Sequence, residues 1–145
     1  MAKAFYSTVL DHPADAVWSA IRPFDHYAWS GVAGHTTIED GKGAAEIGAV
    51  RRVETSDRVI RQKLLAHSDL ERSYSYELCD PPYLPVRDYV ATIRVTPVVG
   101  TGQSFVEWTA TFDCAEAERE RWVRFFEKDG FAVWLASLDR HMKKA

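Results

Sequence analysis

"GAVRRVETSDRVIRQKLL", residues 48–65, sets two alternating runs on either side of Ser56-Asp57. A period of two is the mark of a strand with one buried face. In the first run Ala49, Arg51 and Val53 share a side, opposite Val50, Arg52 and Glu54. The first side is the more apolar, so it turns inward and takes Arg51 with it. In the second run Ile60, Gln62, Leu64 and Ala66 oppose Val59, Arg61, Lys63 and Leu65, and Gln62 faces in. With Ser56-Asp57 as a two-residue hairpin loop, Val53 pairs with Ile60 and Arg51 with Gln62. The pairing parity agrees with both face assignments. A guanidinium kept out of water is costly unless it is partnered. Two readings of Arg51 stand: a structural arginine, satisfied by an acid or carbonyls or snorkelling to the rim, or a fork of donors for a ligand's carboxylate, enolate or carbonyl oxygen.

The same alternation extends in both directions. Strands are expected at 35–40, 48–55, 58–66, 70–79, 87–97 and 103–113, punctuated by Asp40-Gly41, Ser56-Asp57 and Gly100-Thr101-Gly102. Upstream, a first strand runs from Lys3 to Leu10. "DHPADAVWSAI" then opens a helix, with Pro13 at its first position and Val17, Trp18 and Ile21 as its apolar stripe. Pro23 ends it, and "RPFDHYAW" suggests a second short helix. Downstream, Asp113 and Glu116 have the spacing of a capping box at the head of a long helix. Its acids cluster early and its bases late, complementing the helix dipole. Trp122, Phe125, Phe126, Val133, Trp134 and Leu138 form its apolar stripe, with Gly130 as the weak point. The order is one strand, two short helices, six strands and one long helix. Short connections make the six strands an antiparallel meander, giving an α+β chain whose helix must pack on the sheet.

The 145 residues fit one domain, 1–145, with roughly 70% of the unfolded chain's surface buried. A formal net charge of −3 gives no reason to expect nucleic acid or an anionic membrane as partner. No apolar run reaches the ~18 residues of a membrane span, and the N-terminal stretch lacks the pattern of a signal peptide. Cys79 and Cys114 stand apart without a CxxC partner, which excludes a disulfide framework and suits a cytoplasmic location. The five histidines have no metal-binding spacing, so neither metal nor cofactor is expected. The glycines lie between strands as turns, and no serine occupies a nucleophile elbow.

"DYVATIRV" puts Tyr89, Ala91, Ile93 and Val95 on one face, and "SFVEWTATF" does the same for Val106, Trp108, Ala110 and Phe112. Tyr74 and Tyr76 share a face of the preceding strand. An inward set of Tyr74, Tyr76, Tyr89 and Trp108 serves equally as plain core or as the wall of a pocket whose polar groups are phenols.

"AVW", "GAVRRV", "YSYEL", "PVRDYVATIRV" and "VEWTATF", in this order, resemble the polyketide cyclase/START-type superfamily, the helix-grip fold shared with birch-pollen allergens and abscisic-acid receptors. The resemblance covers nearly the whole chain. It implies a seven-stranded antiparallel sheet curled around the C-terminal helix, with a cavity for an apolar or amphipathic small molecule between them. There is also local similarity to the lachrymatory factor synthases, which implies roles for Arg51 and Tyr89 in catalysis. The glutamate of that family falls on Gln62, and an amide cannot shuttle a proton. The abscisic-acid receptor gate is absent from "ETSDRV". The expected function is therefore binding of a small hydrophobic or aromatic molecule by Arg51, Gln62, Tyr74, Tyr76, Tyr89, Trp108 and Trp134. The alternative is a cyclase, dehydratase or lyase with Arg51 stabilising an oxyanion and Tyr89 or Asp88 handling protons. A partner-regulated module with a vestigial cavity is a third reading. "CDPPYLPVRDY" is either a stiffened turn or a lid over the cavity, and a homodimer is left open.

Overall fold

The computed structural model describes residues 1–144. Strand β1 (Ala2–Leu10) is followed by helix α1 (Ala14–Ile21), a 3-10 turn at Ala28–Ser30, and six strands: β2 (His35–Ile38), β3 (Val50–Glu54), β4 (Val59–Ser68), β5 (Ser73–Leu78), β6 (Arg87–Val98) and β7 (Gln103–Asp113). Their order across the sheet is β1-β7-β6-β5-β4-β3-β2, antiparallel throughout. The meander follows from the short connections, and β1 closes the far edge by pairing with β7. The final helical run comprises a 3-10 turn (Glu116–Glu118), α2 (Arg119–Arg124), a π-helical segment (Phe125–Phe131) and α3 (Ala132–Lys143). It buries Trp122, Phe126, Phe131, Leu135 and Leu138. This is the helix-grip α+β architecture.

The β3–β4 hairpin has the expected register, with Val53 opposite Ile60 and Arg51 opposite Gln62. Ala49, Arg51, Val53, Ile60, Gln62 and Leu64 are all buried. Tyr74 and Tyr76, Tyr89 to Val95, and Val106 to Phe112 likewise turn their expected faces inward.

Four details depart from the sequence pattern. Ala66 is exposed, because the β4–β5 register shifts between Leu64 and Ala66 and reverses the alternation. His67 consequently turns toward Trp18, at 5.4 Å between ring centres. Pro13 is the cap of α1 and Ala14 its first residue. The expected Asp113–Glu116 box does not form: Asp113 ends β7 and pairs with the N-terminal amine at 3.4 Å, while Ala115 precedes the helical run with no side-chain cap. The fourth departure is the helix stripe. Val133 is 51% exposed, whereas Phe131 and Leu135 are buried. The wider π segment adds about one residue to a turn, so the buried positions step by five from Phe126 to Phe131 and the later pattern is out of phase with the earlier. Gly130 lies in this segment, and a Cβ there would meet the Trp134 ring at 3.1 Å.

Candidate functional site

Arg51 is the centre of the buried polar region, with 0% of its surface exposed. Strand β3 fixes its direction by parity, and the hairpin brings Gln62 directly opposite. Arg51 Nε donates to Gln62 Oε1 at 2.8 Å, and Nη2 donates to the same oxygen. Nη1 points at the Phe24 carbonyl, 3.5 Å away. Both acceptors are neutral, so the guanidinium meets no carboxylate among the described residues. Its faces are covered by aromatic rings. The Cζ atom lies 4.1 Å from the centre of the Phe24 ring, 3.9 Å from Tyr27 and 5.5 Å from Tyr76. Such stacking partly replaces the hydration that the cation has lost.

Phe24 and Tyr27 belong to the segment after α1, which the sequence pattern marks only as a short helix. It is instead a bend followed by the Ala28–Ser30 3-10 turn, with the Phe24 amide bonded to the Ala44 carbonyl at 2.9 Å. The density of aromatics in "PFDHYAW", just after a helix that faces the sheet, was the available signal. Trp29 extends the cluster, 5.4 Å from Tyr27 and 5.9 Å from Trp108 between ring centres.

The expected site residues converge, with differences in distance from Arg51. Gln62 touches the guanidinium and Tyr76 stands over it. Tyr74 and Tyr89 flank Tyr76 at 6.1 and 6.4 Å between ring centres. Trp108 donates its indole N–H to the Tyr76 hydroxyl at 3.2 Å. Trp134 is half-buried and reaches this group through Trp108, 5.3 Å away. Asp88 is not part of it. That residue is exposed, with φ +51° at the irregularity that interrupts the β6–β7 register, and its neighbour Tyr89 turns inward.

Burial pushes the Tyr76 and Tyr89 phenols well above the usual tyrosine value, and it raises Tyr27 too, with the Arg51 charge opposing the shift. At neutral pH the three phenols are therefore protonated and can donate. Tyr74 Oη and Trp29 Nε1 are buried without a protein partner among the described residues. The region is rich in donors and poor in negative charge, a chemistry suited to an oxygen-bearing anion. Rings fill much of the space around it, with Trp108 stacked on Phe131 at 4.9 Å and Tyr89 at 4.9 Å from Phe126. Outside this cluster, a groove of about 390 Å³ runs along Tyr27, Ala28 and Trp29. A smaller one of about 220 Å³ runs beside Pro81–Tyr83 on the face of Arg52 and Arg61.

The family model described as polyketide cyclase / dehydrase and lipid transport matches residues 1–143. Among curated proteins no sequence matches. Among solved structures, XoxI from Bacillus cereus has a TM-score of 0.85 and 26% identity, covering 99% of this chain and 96% of that one. A protein from Thermobifida fusca has a TM-score of 0.85 and 27% identity, covering 99% and 95%. Norcoclaurine synthase from Thalictrum flavum, solved with dopamine and hydroxybenzaldehyde, has a TM-score of 0.73 and 12% identity, covering 98% and 86%; it shares the fold alone. The match to the family model along nearly the whole sequence makes this chain a member of the polyketide cyclase / dehydrase and lipid transport family.

Proposed function

We propose that the chain binds a small molecule with an apolar or aromatic body inside the curled sheet and holds its carboxylate, enolate or carbonyl oxygen on Arg51. The observation that carries this reading is a fully buried guanidinium whose only protein acceptors among the described residues are neutral. An uncompensated ion costs several kcal/mol to keep out of water. Gln62 and the rings offset part of this cost without supplying a counter-charge; a ligand anion would supply one, and Arg presents the forked donors that an oxyanion accepts. Tyr76 and Tyr89 would add neutral donors, with Tyr74, Trp108 and Trp134 as apolar walls. The family description, which includes lipid transport, supports a ligand of this kind. The two free cysteines, Cys79 and Cys114, fit a reducing compartment such as the cytoplasm.

A second reading, cyclase or dehydratase chemistry, is favoured by the placement of phenol donors beside the cation. Arg51 would stabilise an enolate and Tyr89 would donate a proton. Burial raises its pKa, so Tyr89 is protonated at neutral pH and is available as a donor and not as a base.

Calorimetric titration with trans-cinnamate and with cinnamamide tests the anchor. The acid is expected to bind at least tenfold more tightly than the amide. Gln62→Glu places a carboxylate beside Arg51 and should cut cinnamate affinity at least tenfold. Equal affinity for acid and amide, or undiminished cinnamate binding to Gln62→Glu, would refute the role given to Arg51.

A further inference from the structure

We propose that the groove along Tyr27, Ala28 and Trp29 is the entrance to the Arg51 centre, and that the Tyr27 ring is its door. The inference rests on Arg51 being the ligand anchor. One chain segment separates the groove from the Arg51 centre. The groove of about 390 Å³ is lined by this segment together with Asp25, Thr36 and His141. The Tyr27 ring itself covers the guanidinium at 3.9 Å, and the Trp29 ring meets Trp108.

The other walls are harder to open. Arg51, Gln62 and Tyr76 sit on β3, β4 and β5, where displacement would break consecutive ladder hydrogen bonds. The Tyr27–Trp29 segment lies outside the sheet, packed on α3, and its backbone is closed by local bonds. Ser30 N and Oγ donate to the Tyr27 carbonyl at 3.1 and 2.7 Å, and Gly31 N to the Ala28 carbonyl at 3.1 Å. Such a unit opens at less cost than a sheet. Trp29 Nε1 has no acceptor among the described residues, so no side-chain hydrogen bond from the indole fastens that ring. An anion reaching Arg51 also competes with Tyr27 for the cation, which couples arrival to displacement of the ring. The Pro81–Pro85 loop is the rival entrance, but its groove includes Arg52 and Arg61, residues of the outward face of β3 and β4.

Phenylglyoxal labelling of arginine, followed by peptide mass spectrometry on the full chain, tests this without any ligand. In the wild type Arg51 should react at least 100-fold more slowly than exposed Arg121. Tyr27→Ala should speed Arg51 labelling at least tenfold, and Tyr83→Ala should leave it within twofold. Ala28→Trp, at an exposed position of the groove, should slow it at least threefold. An unchanged rate in Tyr27→Ala, or an equal acceleration in Tyr83→Ala, overturns the proposal. If Tyr27→Ala fails to give a cooperative melt, Ala28→Trp decides, and an unchanged rate there overturns it. Failure of carboxylates to bind would remove the anchor reading while leaving the labelling rates interpretable, so the two failures are distinct.

Discussion

Replacing Arg51 and Gln62 together, as Arg51→Met/Gln62→Leu, separates a functional cation from a structural one. The isolated ion costs several kcal/mol after relaxation. Against this stand two hydrogen bonds to Gln62, at about 1.5–3 kcal/mol each for a charged donor, and ring contacts with Phe24 and Tyr27, at about 2 kcal/mol each when desolvated. These contributions offset the cost of the buried ion without a counter-charge, and an apolar pair of similar length needs none of them. Replacing a buried ion pair by apolar residues of similar volume is often neutral or stabilising by about 1–4 kcal/mol, and Arg51 lacks even the opposite charge that such a pair has. With about 2.1 cal/mol/K of unfolding entropy per residue, the 145 residues convert 1 kcal/mol into about 3 °C of Tm. The double variant should therefore melt up to about 12 °C above the wild type, by circular dichroism or calorimetry at pH 7, and should lose cinnamate binding. Arg51→Ala alone leaves a cavity and an unpaired Gln62, so it should lose about 3–5 kcal/mol. A double variant melting clearly below the wild type would refute the reasoning, because the pair would then be holding the fold together.

Two further outcomes are expected. Asp69 accepts from Trp18 Nε1 at 2.9 Å, Arg22 Nε at 2.6 Å and His67 Nε2 at 3.2 Å, and the bond from Arg22 holds its carboxyl well below the usual range. A depressed carboxyl contributes stability above its unfolded value near pH 4 and loses it as pH falls through the folded value. The Tm difference between wild type and Asp69→Asn should thus be full at pH 6 and shrink below about pH 4; a difference that is constant from pH 6 to pH 2 contradicts the assignment. Gly31 has φ +82°, and a Cβ there would lie 2.8 Å from Ser137 Oγ, whereas Gly100, at φ +81°, would meet nothing within 4 Å. Gly31→Ala should cost about 2–3 kcal/mol and Gly100→Ala about 1 kcal/mol, read from urea unfolding. Equal losses would mean that the Ser137 contact yields freely.

The hairpin shows what alternation can carry. Once Val53 and Ile60 are read as inward, a two-residue loop leaves no other partner for Arg51 than Gln62, because a slip of one residue would expose the whole apolar face. Tyr74, Tyr76, Tyr89 and Trp108 were legible for the same reason. Ala66 was not, since a single inserted residue reverses parity without any local mark in "KLLAHS". Phe24 and Tyr27 were missed as site residues because they lie on irregular backbone, where no period relates sequence to direction. Their contact with Arg51 depends on how the segment after α1 folds back over the sheet, a long-range relation. The lining rings could be named from the sequence, but whether they leave open space depends on side-chain packing that periodicity does not encode.

The π-helical segment decides where the final helical run can change length. Removing one residue between Phe125 and Phe131 would restore ordinary pitch and leave α3 in phase, because Phe126 and Phe131 would then stand four residues apart. The same deletion between Leu135 and Leu138, where the pitch is already ordinary, would turn Leu138 by about 100° away from its buried face. The helical run is thus one residue longer than ordinary pitch requires, and the surplus lies in the π segment. A deletion at an exposed position of this segment such as Asp129 can be absorbed by the change of pitch, whereas one within α3 cannot.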